Sequence, residues 1–131
     1  MVQKNGFSLL EMVFAIVIVS LGAATLASSI FKTVQHSYDL LVQQEALNIA
    51  QAYTEYLLQQ PLATLSTSLP FTQSPPRTAQ NVNIDALAAY QISVSALIPI
   101  TLNGQTGWKF IVNVQHRPTA LQVNLTGYQW S

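Results

Sequence analysis

The stretch FSLLEMVFAIVIVSLGAATLASSIF, residues 7–31, decides how this chain must be organised. Its 25 residues contain one ionisable side chain, Glu11, and no proline. A helix of that length rises about 37 Å, which is enough to cross the roughly 30 Å hydrocarbon core of a bilayer. The stretch therefore predicts a membrane-spanning helix. Because Lys4 and Lys32 stand on either side of it, the positive-inside rule gives only a mild preference for a cytoplasmic amino terminus.

A cleaved secretory signal peptide is the ordinary alternative for an apolar segment this close to an amino terminus. Lys4 would supply its charged region, and Ala27 would belong to its cleavage site. The apolar run is longer than the usual core of roughly 7–15 residues in such peptides. It also contains an acid near its start, where an acid costs about 2.5–3.5 kcal/mol or less, depending on depth. Both features favour a span that is retained.

The residues at the start of the run are the most specific in the chain. The stretch KNGFSLLE, residues 4–11, resembles the processing site of type IV prepilins and type II secretion pseudopilins. In that family a peptidase cleaves after a glycine and methylates the new amino-terminal residue, and an acid occupies the fifth mature position. The resemblance implies a leader over residues 1–6, cleavage between Gly6 and Phe7, N-methylation of Phe7, and subunit registration by Glu11.

The chemistry of these residues is compatible with those roles. Gly6 has no side chain, so an extended backbone there can approach a peptidase closely. Cleavage would free an α-amino group on Phe7, and Glu11 is the acid that could pair with it in a neighbouring subunit. Such pairing would relieve the cost of burying a carboxylate. The simpler alternative for Glu11 is an acid tolerated near the interface, within reach of lipid headgroups.

Helical periodicity continues beyond the apolar run. Leu40, Leu47, Ala50 and Leu57 recur at spacings of three or seven residues, which is the stripe of an amphipathic helix, and Pro61 ends the pattern. We therefore predict one helix from about residue 7 to residue 60. Its half over 7–31 spans the membrane, and its half over 32–60 is amphipathic. The family resemblance implies that the second half packs against a small sheet.

The rest of the chain divides into a loop region and strands. Residues 61–89 are rich in proline, serine and threonine and are predicted as a loop region with a short irregular or helical segment in its last part. Residues 90–131 are predicted as an antiparallel meander, because apolar and polar residues alternate over 90–95, 108–115 and 121–126. Residues 97–102 would extend the first strand past a disturbance at Pro99. The predicted fold class is α+β, with the long helix packed on a small antiparallel sheet.

Several kinds of chemistry have no support in the sequence. The absence of cysteine excludes disulfides, thiolate metal sites and cysteine nucleophiles. No nucleophile motif, phosphate loop or paired carboxylates occur, and His36 and His116 belong to different predicted elements. We expect no enzymatic activity, no cofactor and no metal. Lys and Arg balance Asp and Glu at five each, which argues against nucleic acid as a partner.

These observations together predict a minor pilin or pseudopilin that helps to initiate or cap a type IV pilus-like filament. Residues 46–53 are similar to minor components of the mannose-sensitive haemagglutinin pilus, and the chain lacks the cysteine pair common in major pilins. The expected partners are the prepilin peptidase, other major and minor pilins or pseudopilins, and an inner-membrane assembly platform. The expected location is the bacterial inner membrane, with a single pass, a cytoplasmic amino terminus and a periplasmic head, and then a pilus or pseudopilus.

Three alternatives stay open at this point. The chain would serve equally as a minor pseudopilin of type II protein secretion. A second alternative is a filament-borne binding module for adhesion or DNA contact, which would use residues 61–80 and Trp108 or Trp130. The third is a plain single-span anchor that never polymerises.

The low charge of the chain has two sources. Charged residues make up 8% of its 131 residues, against roughly 25% in an ordinary soluble domain. The apolar run explains only part of this, because residues 33–131 contain seven charged residues among 99 and use 13 glutamines instead. Because charges are costly to desolvate at an interface, we interpret this composition as a head that neighbouring subunits cover.

Overall fold

A computed structural model describes residues 9–77 and 84–130 of the chain. The chain divides into two compact units, Met1–Asp39 and Leu40–Ser131, called here the amino-terminal and carboxy-terminal units. In chain order the elements are α1 (Leu9–Leu58), α2 (Leu62–Ser68), β1 (Phe71–Gln73), a 3₁₀ helix (Asp85–Leu87), β2 (Tyr90–Val94), β3 (Ile98–Leu102), β4 (Gln105–His116) and β5 (Leu121–Trp130). The predicted α+β fold class is confirmed.

The long helix α1 is already formed at Leu9, the first described residue, and ends two residues before the predicted end, at Leu58. It contributes Leu9–Asp39 to the amino-terminal unit and residues 40–58 to the carboxy-terminal unit. Its end is a consequence of Pro61, which cannot continue the hydrogen-bond ladder. The last turn tightens there, as the Gln60 N–H donates to the Leu57 carbonyl at 3.0 Å, a three-residue spacing.

All five described strands belong to one antiparallel sheet. Strand β4 lies at its centre and pairs along most of its length with β5. The other edge of β4 carries β2 and β3 one after the other, and β1 pairs with the outer side of β2. The two-residue hairpin between β3 and β4 uses Asn103 and Gly104, at φ 52° and 80°. An asparagine–glycine pair with positive φ at both positions is the preferred chemistry for such a turn.

The first predicted strand is interrupted by a β-bulge. Val94 lies opposite Val112, and Ile98 lies opposite Lys109. Between these two pairs the chain from β2 to β3 advances four residues while β4 advances three, so the β2–β3 segment has one extra residue. The Ser95 N–H donates to the Ile111 carbonyl at 2.9 Å, and the Ile111 N–H donates to the Ser95 hydroxyl at 3.0 Å. The hydroxyl therefore takes the place of the missing ladder acceptor, and the chain resumes pairing as β3.

The predicted disturbance at Pro99 is wrong, because Pro99 lies inside β3 opposite Trp108. The N–H and C=O groups of Ile111 point toward the edge of β4 that carries β2 and β3. In an antiparallel strand, the backbone groups of successive residues point alternately to one edge and to the other. Lys109 and Gly107 therefore bond to β3, whereas Pro99 points to the outer edge of the sheet. A residue without an N–H is tolerated at that position because no ladder bond is lost.

The core lies between the sheet and the carboxy-terminal half of α1. Its helical members follow a helical stripe: Val42, Ala46, Ile49, Ala50 and Leu57. Its strand members alternate along their strands: Tyr90, Ile92, Val94, Phe110, Val112 and Val114. The predicted stripe was partly wrong, because Leu40 and Leu47 are exposed on α1. Ala50 and Leu57 are buried as predicted, and Val42, Ala46 and Ile49 complete the buried face.

The predicted loop over residues 61–89 is wrong for its first part, which folds. Helix α2 buries Leu65 completely and Leu69 nearly so, and β1 adds a fourth lateral position to the sheet. Leu62, Leu65 and Leu69 have helical spacing, which the surrounding serines and threonines obscure. In the last part of the region, the 3₁₀ helix Asp85–Leu87 confirms the predicted short helical segment.

Gly127 is the glycine whose substitution is expected to cost most. A Cβ at Gly127 would overlap the ring of Phe110, which is fully buried opposite it on β4. A Cβ at Gly107 would meet the ring of Trp130, which is 46% exposed and free to swing aside. We expect Gly127→Ala to lower the free energy of unfolding by about 3 kcal/mol and Gly107→Ala by less than about 1 kcal/mol.

Urea unfolding of the full chain in detergent, followed by far-ultraviolet circular dichroism, measures both variants under the same conditions. Gly107→Ala is the matched control, because it introduces the same methyl group into the same strand pair. Equal losses in the two variants would contradict this account of the core.

Candidate membrane and assembly segment

The described part of α1 in the amino-terminal unit exposes its apolar side chains on all sides. No residue of Leu9–Asp39 is buried within the chain, and Phe14, Ile18 and Phe31 are among the exposed large residues. An 18-residue window of α1 has a mean hydropathy of 2.3, and in the described residues α1 is the one helix long and apolar enough to cross a membrane. An apolar helix that no described residue covers requires lipid or other apolar helices around it.

The distance along α1 between its first two charged residues matches the thickness of the hydrocarbon core of a bilayer. Between Glu11 and Lys32 lie 20 residues without an ionisable side chain, which as a helix rise about 30 Å. That length equals the hydrocarbon core of a typical bilayer. The helix and its flanking charges are therefore consistent with membrane anchoring.

Three hydroxyl groups of this segment donate to backbone carbonyls of the same helix. Ser20 donates to the Ile16 carbonyl at 2.6 Å, Thr25 donates to the Gly22 carbonyl at 2.8 Å, and Ser28 donates to the Thr25 carbonyl at 2.8 Å. An unsatisfied hydroxyl would be costly in hydrocarbon, and these back-bonds remove that cost. Ser20, Thr25 and Ser28 therefore add little polar character to the surface of the helix.

Glu11 lies in the first turn of α1 and is exposed. The positive end of the helix dipole favours a carboxylate at that position. No hydrogen bond or ion pair to Glu11 is present among residues 9–77 and 84–130. The predicted cleavage and methylation sites, Gly6 and Phe7, lie outside the described residues. The structure therefore places Glu11 at the start of the helix as an acid exposed to whatever surrounds the helix.

The carboxy-terminal unit contains a polar cluster that links α1 to the sheet. The Tyr90 hydroxyl donates to Oε2 of Glu45 at 2.6 Å, and the Tyr90 ring lies against the His116 ring with their centroids 4.9 Å apart. His116 Nδ1 lies 2.8 Å from the Thr119 hydroxyl. The cluster stabilises the register of β2 and β4, because Tyr90 and His116 are cross-strand partners. His116 is itself buried, with 4% of its surface exposed.

A second cluster joins α1 to the segment after β1. The Tyr53 hydroxyl accepts from the Arg77 N–H at 2.6 Å and lies 2.8 Å from the Arg77 carbonyl and 3.2 Å from Oε1 of Gln73. Burial raises the pKa of Tyr53, and its hydrogen bond to the Arg77 backbone opposes that rise. The neutral phenol is thus the form that the folded state favours.

Tyr53 is expected to make the chain less stable in strong alkali. Its contribution to the free energy of unfolding is complete below about pH 10, the ordinary tyrosine value, and is lost as the pH rises through the higher folded-state pKa. Thermal unfolding between pH 8 and pH 11.5 should show a smaller fall in Tm for Tyr53→Phe than for the unmodified chain. Tyr128→Phe, which alters an exposed tyrosine on β5, is the control and should follow the unmodified chain. A Tyr53→Phe profile identical to that of the unmodified chain would contradict this assignment.

The other sequence-predicted residues are not brought together. Trp108 and Trp130 lie on neighbouring strands, but Trp108 pairs with Gln129 and Trp130 pairs with Gly107, so their side chains emerge on opposite faces of the sheet. His36 belongs to the amino-terminal unit and His116 to the carboxy-terminal unit. Residues 9–77 and 84–130 contain no group of three or more His, Asp or Glu side chains that could hold a metal ion.

Comparison with known families finds a match in the first part of the chain. Residues 1–27 match the family model of the prokaryotic N-terminal methylation motif. The matched stretch holds the predicted leader, the Gly6–Phe7 junction, Glu11 and most of the apolar run. The motif is that of prepilins of the type IV pilin and pseudopilin type, and it is consistent with processing by a prepilin peptidase and assembly with other pilins. No curated protein and no solved structure matches the chain.

Proposed function

We propose that this chain is a minor pilin or pseudopilin, a structural and non-enzymatic subunit that helps to initiate or cap a type IV pilus-like filament. Cleavage after Gly6 and N-methylation of Phe7 would prepare it for assembly. The observation that carries the proposal is the exposed, charge-free stretch 12–31 of α1, most of which lies within the matched methylation motif. A helix with no cover in its own chain is the element that filament packing would bury.

The proposed assembly step exchanges one apolar environment for another. Before assembly, lipid would surround α1, and the chain would cross the bacterial inner membrane once with its amino terminus in the cytoplasm. In the filament, the α1 helices of neighbouring subunits would replace the lipid. Van der Waals contact and pairing of polar groups drive association of helices in such surroundings, since lipid is as apolar as the helix surface.

Glu11 would set the position of each subunit along the filament. The carboxylate would pair with the methylated amino group of Phe7 on a neighbouring chain, because both would otherwise be charged groups without partners in an apolar core. This pairing makes one axial position favourable among the many that a featureless apolar helix would allow. The inner-membrane assembly platform is the proposed partner for this step.

Two sequence features support a minor rather than a major subunit. The chain has no cysteine, whereas major pilins often close a loop near the carboxy terminus with a disulfide. Its carboxy-terminal part is also low in charge, as expected for a subunit whose surface meets several different neighbours rather than solvent. Partners recovered by crosslinking in the native cell would separate a type IV pilus from a type II secretion system.

Mass spectrometry of the mature amino terminus tests this proposal. The expected result is a chain that starts at Phe7 and carries one methyl group on its α-amino nitrogen. Retention of Met1 would contradict processing. A chain that starts just after Ala27 would show a secretory signal peptide instead.

A further inference from the structure

The two lateral edges of the sheet differ in how they are protected. On the β1 and β3 side, Pro70 precedes β1, Pro75 and Pro76 follow it, and Pro99 lies in β3. Proline and short strands are common devices that stop an edge from pairing with another chain. On the opposite side, β5 runs for ten residues with no proline, no charged side chain and no bulge. The β1 and β3 side, where prolines hinder pairing with another strand, is called here the closed edge. The β5 side, which has no such hindrance, is called the open edge.

The register shows which backbone groups line the open edge. Because Ile111 points its backbone groups toward β2, its neighbours Phe110 and Val112 point theirs toward β5. Their partners on β5 are Gly127 and Leu125. The intervening residues of β5 then direct both N–H and C=O away from the sheet: Gln122, Asn124, Thr126, Tyr128 and Trp130.

Nothing in the described part of the chain covers this edge. Within residues 9–77 and 84–130, β5 pairs with β4 alone. The side chains of the five outward residues are exposed and lie on the sheet face opposite the core, because the core side of β5 is formed by its odd-numbered residues. Two of the five are large aromatic residues, Tyr128 and Trp130, at 52% and 46% exposure.

We propose that the open edge of β5 binds an extended, uncharged polypeptide strand of a partner protein by β-augmentation. Donors and acceptors that recur at every second residue along a straight edge are matched by another extended backbone. A charged partner strand would find no counter-charge on β5 and would have to be desolvated against it. Exposed Tyr128 and Trp130 provide contact area for alternate side chains of that strand. The inference stands on the sheet alone and does not require the filament role.

Binding of a defined peptide to the full chain in detergent tests the proposal. The probe is a fluorescent ten-residue peptide with the sequence of residues 121–130, LQVNLTGYQW, which is uncharged and extended. A peptide with proline at every second position is the control probe, because it cannot form a ladder. Fluorescence anisotropy should show saturable binding of the first peptide only. Equal binding of both peptides, or of neither, would overturn the proposal.

A pair of substitutions at Thr126 tests whether the backbone edge is responsible. Thr126→Pro removes one outward N–H without removing a bond to β4, and Thr126→Val keeps that N–H. We expect Thr126→Pro to weaken peptide binding at least threefold and Thr126→Val to leave it unchanged, with circular dichroism confirming that both variants fold. Unchanged binding by a folded Thr126→Pro chain would overturn the proposal.

Disulfide trapping gives the register without dependence on affinity, because the chain has no cysteine of its own. The trapping uses three variants of β5: Asn124→Cys, Thr126→Cys and Tyr128→Cys. Each variant should trap a peptide whose cysteine lies at a different position, and these peptide positions should be two residues apart from one variant to the next. Thr72→Cys, an exposed threonine on β1 at the closed edge, is the matched control and should trap at least fivefold less. Equal trapping at Thr72 would contradict an edge site. Trapping of Thr126→Cys chains to one another in preference to the peptide would show that the occupant is a second copy.

Discussion

A Gly6→Val chain is expected to keep its six-residue leader and to be absent from any filament. Gly6 lies at the predicted scissile bond, and a β-branched side chain there would hold the backbone away from the peptidase and restrict its extended conformations. Without cleavage, the α-amino group of Phe7 stays in a peptide bond and can be neither methylated nor paired with Glu11. The effect should be all-or-none in processing, with more than about 90% of the chain retaining Met1.

The matched control for this experiment is Gly22→Val, which makes the same chemical change further along α1. Nothing lies within 4 Å of the position that a Cβ at Gly22 would occupy, and the site is distant from the processing junction. Intact mass spectrometry of membrane fractions should show full cleavage of Gly22→Val and none of Gly6→Val. Normal cleavage of Gly6→Val, or a mature chain that begins at another residue, would remove the basis for the assigned junction.

The second large effect is expected for Glu11→Ala, which should be processed normally but incorporated at least tenfold less into filaments. The substitution removes the only ionisable side chain of residues 7–31 and so leaves the amino group of a neighbouring Phe7 without its partner. Anchoring should not weaken, because replacing an acid with alanine makes the span more apolar. A loss of assembly with undiminished membrane content would therefore report on registration between subunits.

Two further variants separate charge from shape and position. Glu11→Gln keeps the size and hydrogen-bonding ability of the side chain without its charge, and it should assemble at an intermediate level. Glu55→Ala removes an exposed acid from the same helix in the carboxy-terminal unit and should assemble as the unmodified chain does. If Glu11→Ala assembles at the normal level, the chain is better described as a single-span anchor, and the role assigned to Glu11 is wrong.

Much of the fold was predictable because its helices and strands follow from local sequence patterns. The apolar run, the long helix and the strands β2, β4 and β5 follow from composition and period, which depend on neighbouring residues alone. The processing junction was assigned on the same kind of local pattern, since its chemistry lies within eight consecutive residues, and it stays a prediction. The methylation-motif match covers this same part of the chain.

The errors of prediction have a common physical cause. Leu47 and Ala50 both fit a helical stripe, but only the position of the sheet decides which of them is covered, and it covers Ala50. Leu65 has the spacing of a helix within a segment that composition marks as a loop, and packing against the core outweighs that composition. The disturbance falls at Ser95 rather than Pro99 because a hydroxyl can replace a ladder acceptor there.

The sequence by itself thus determined the long apolar helix, the methylation motif and the alternation of the strands, because each depends on residues within a few positions of one another. The tertiary structure alone decided which helix face is buried, that Glu45 binds Tyr90 across 45 positions of the chain, and which edge of the sheet stays open. Those features depend on residues that are distant in sequence, and no local pattern states which of them will meet.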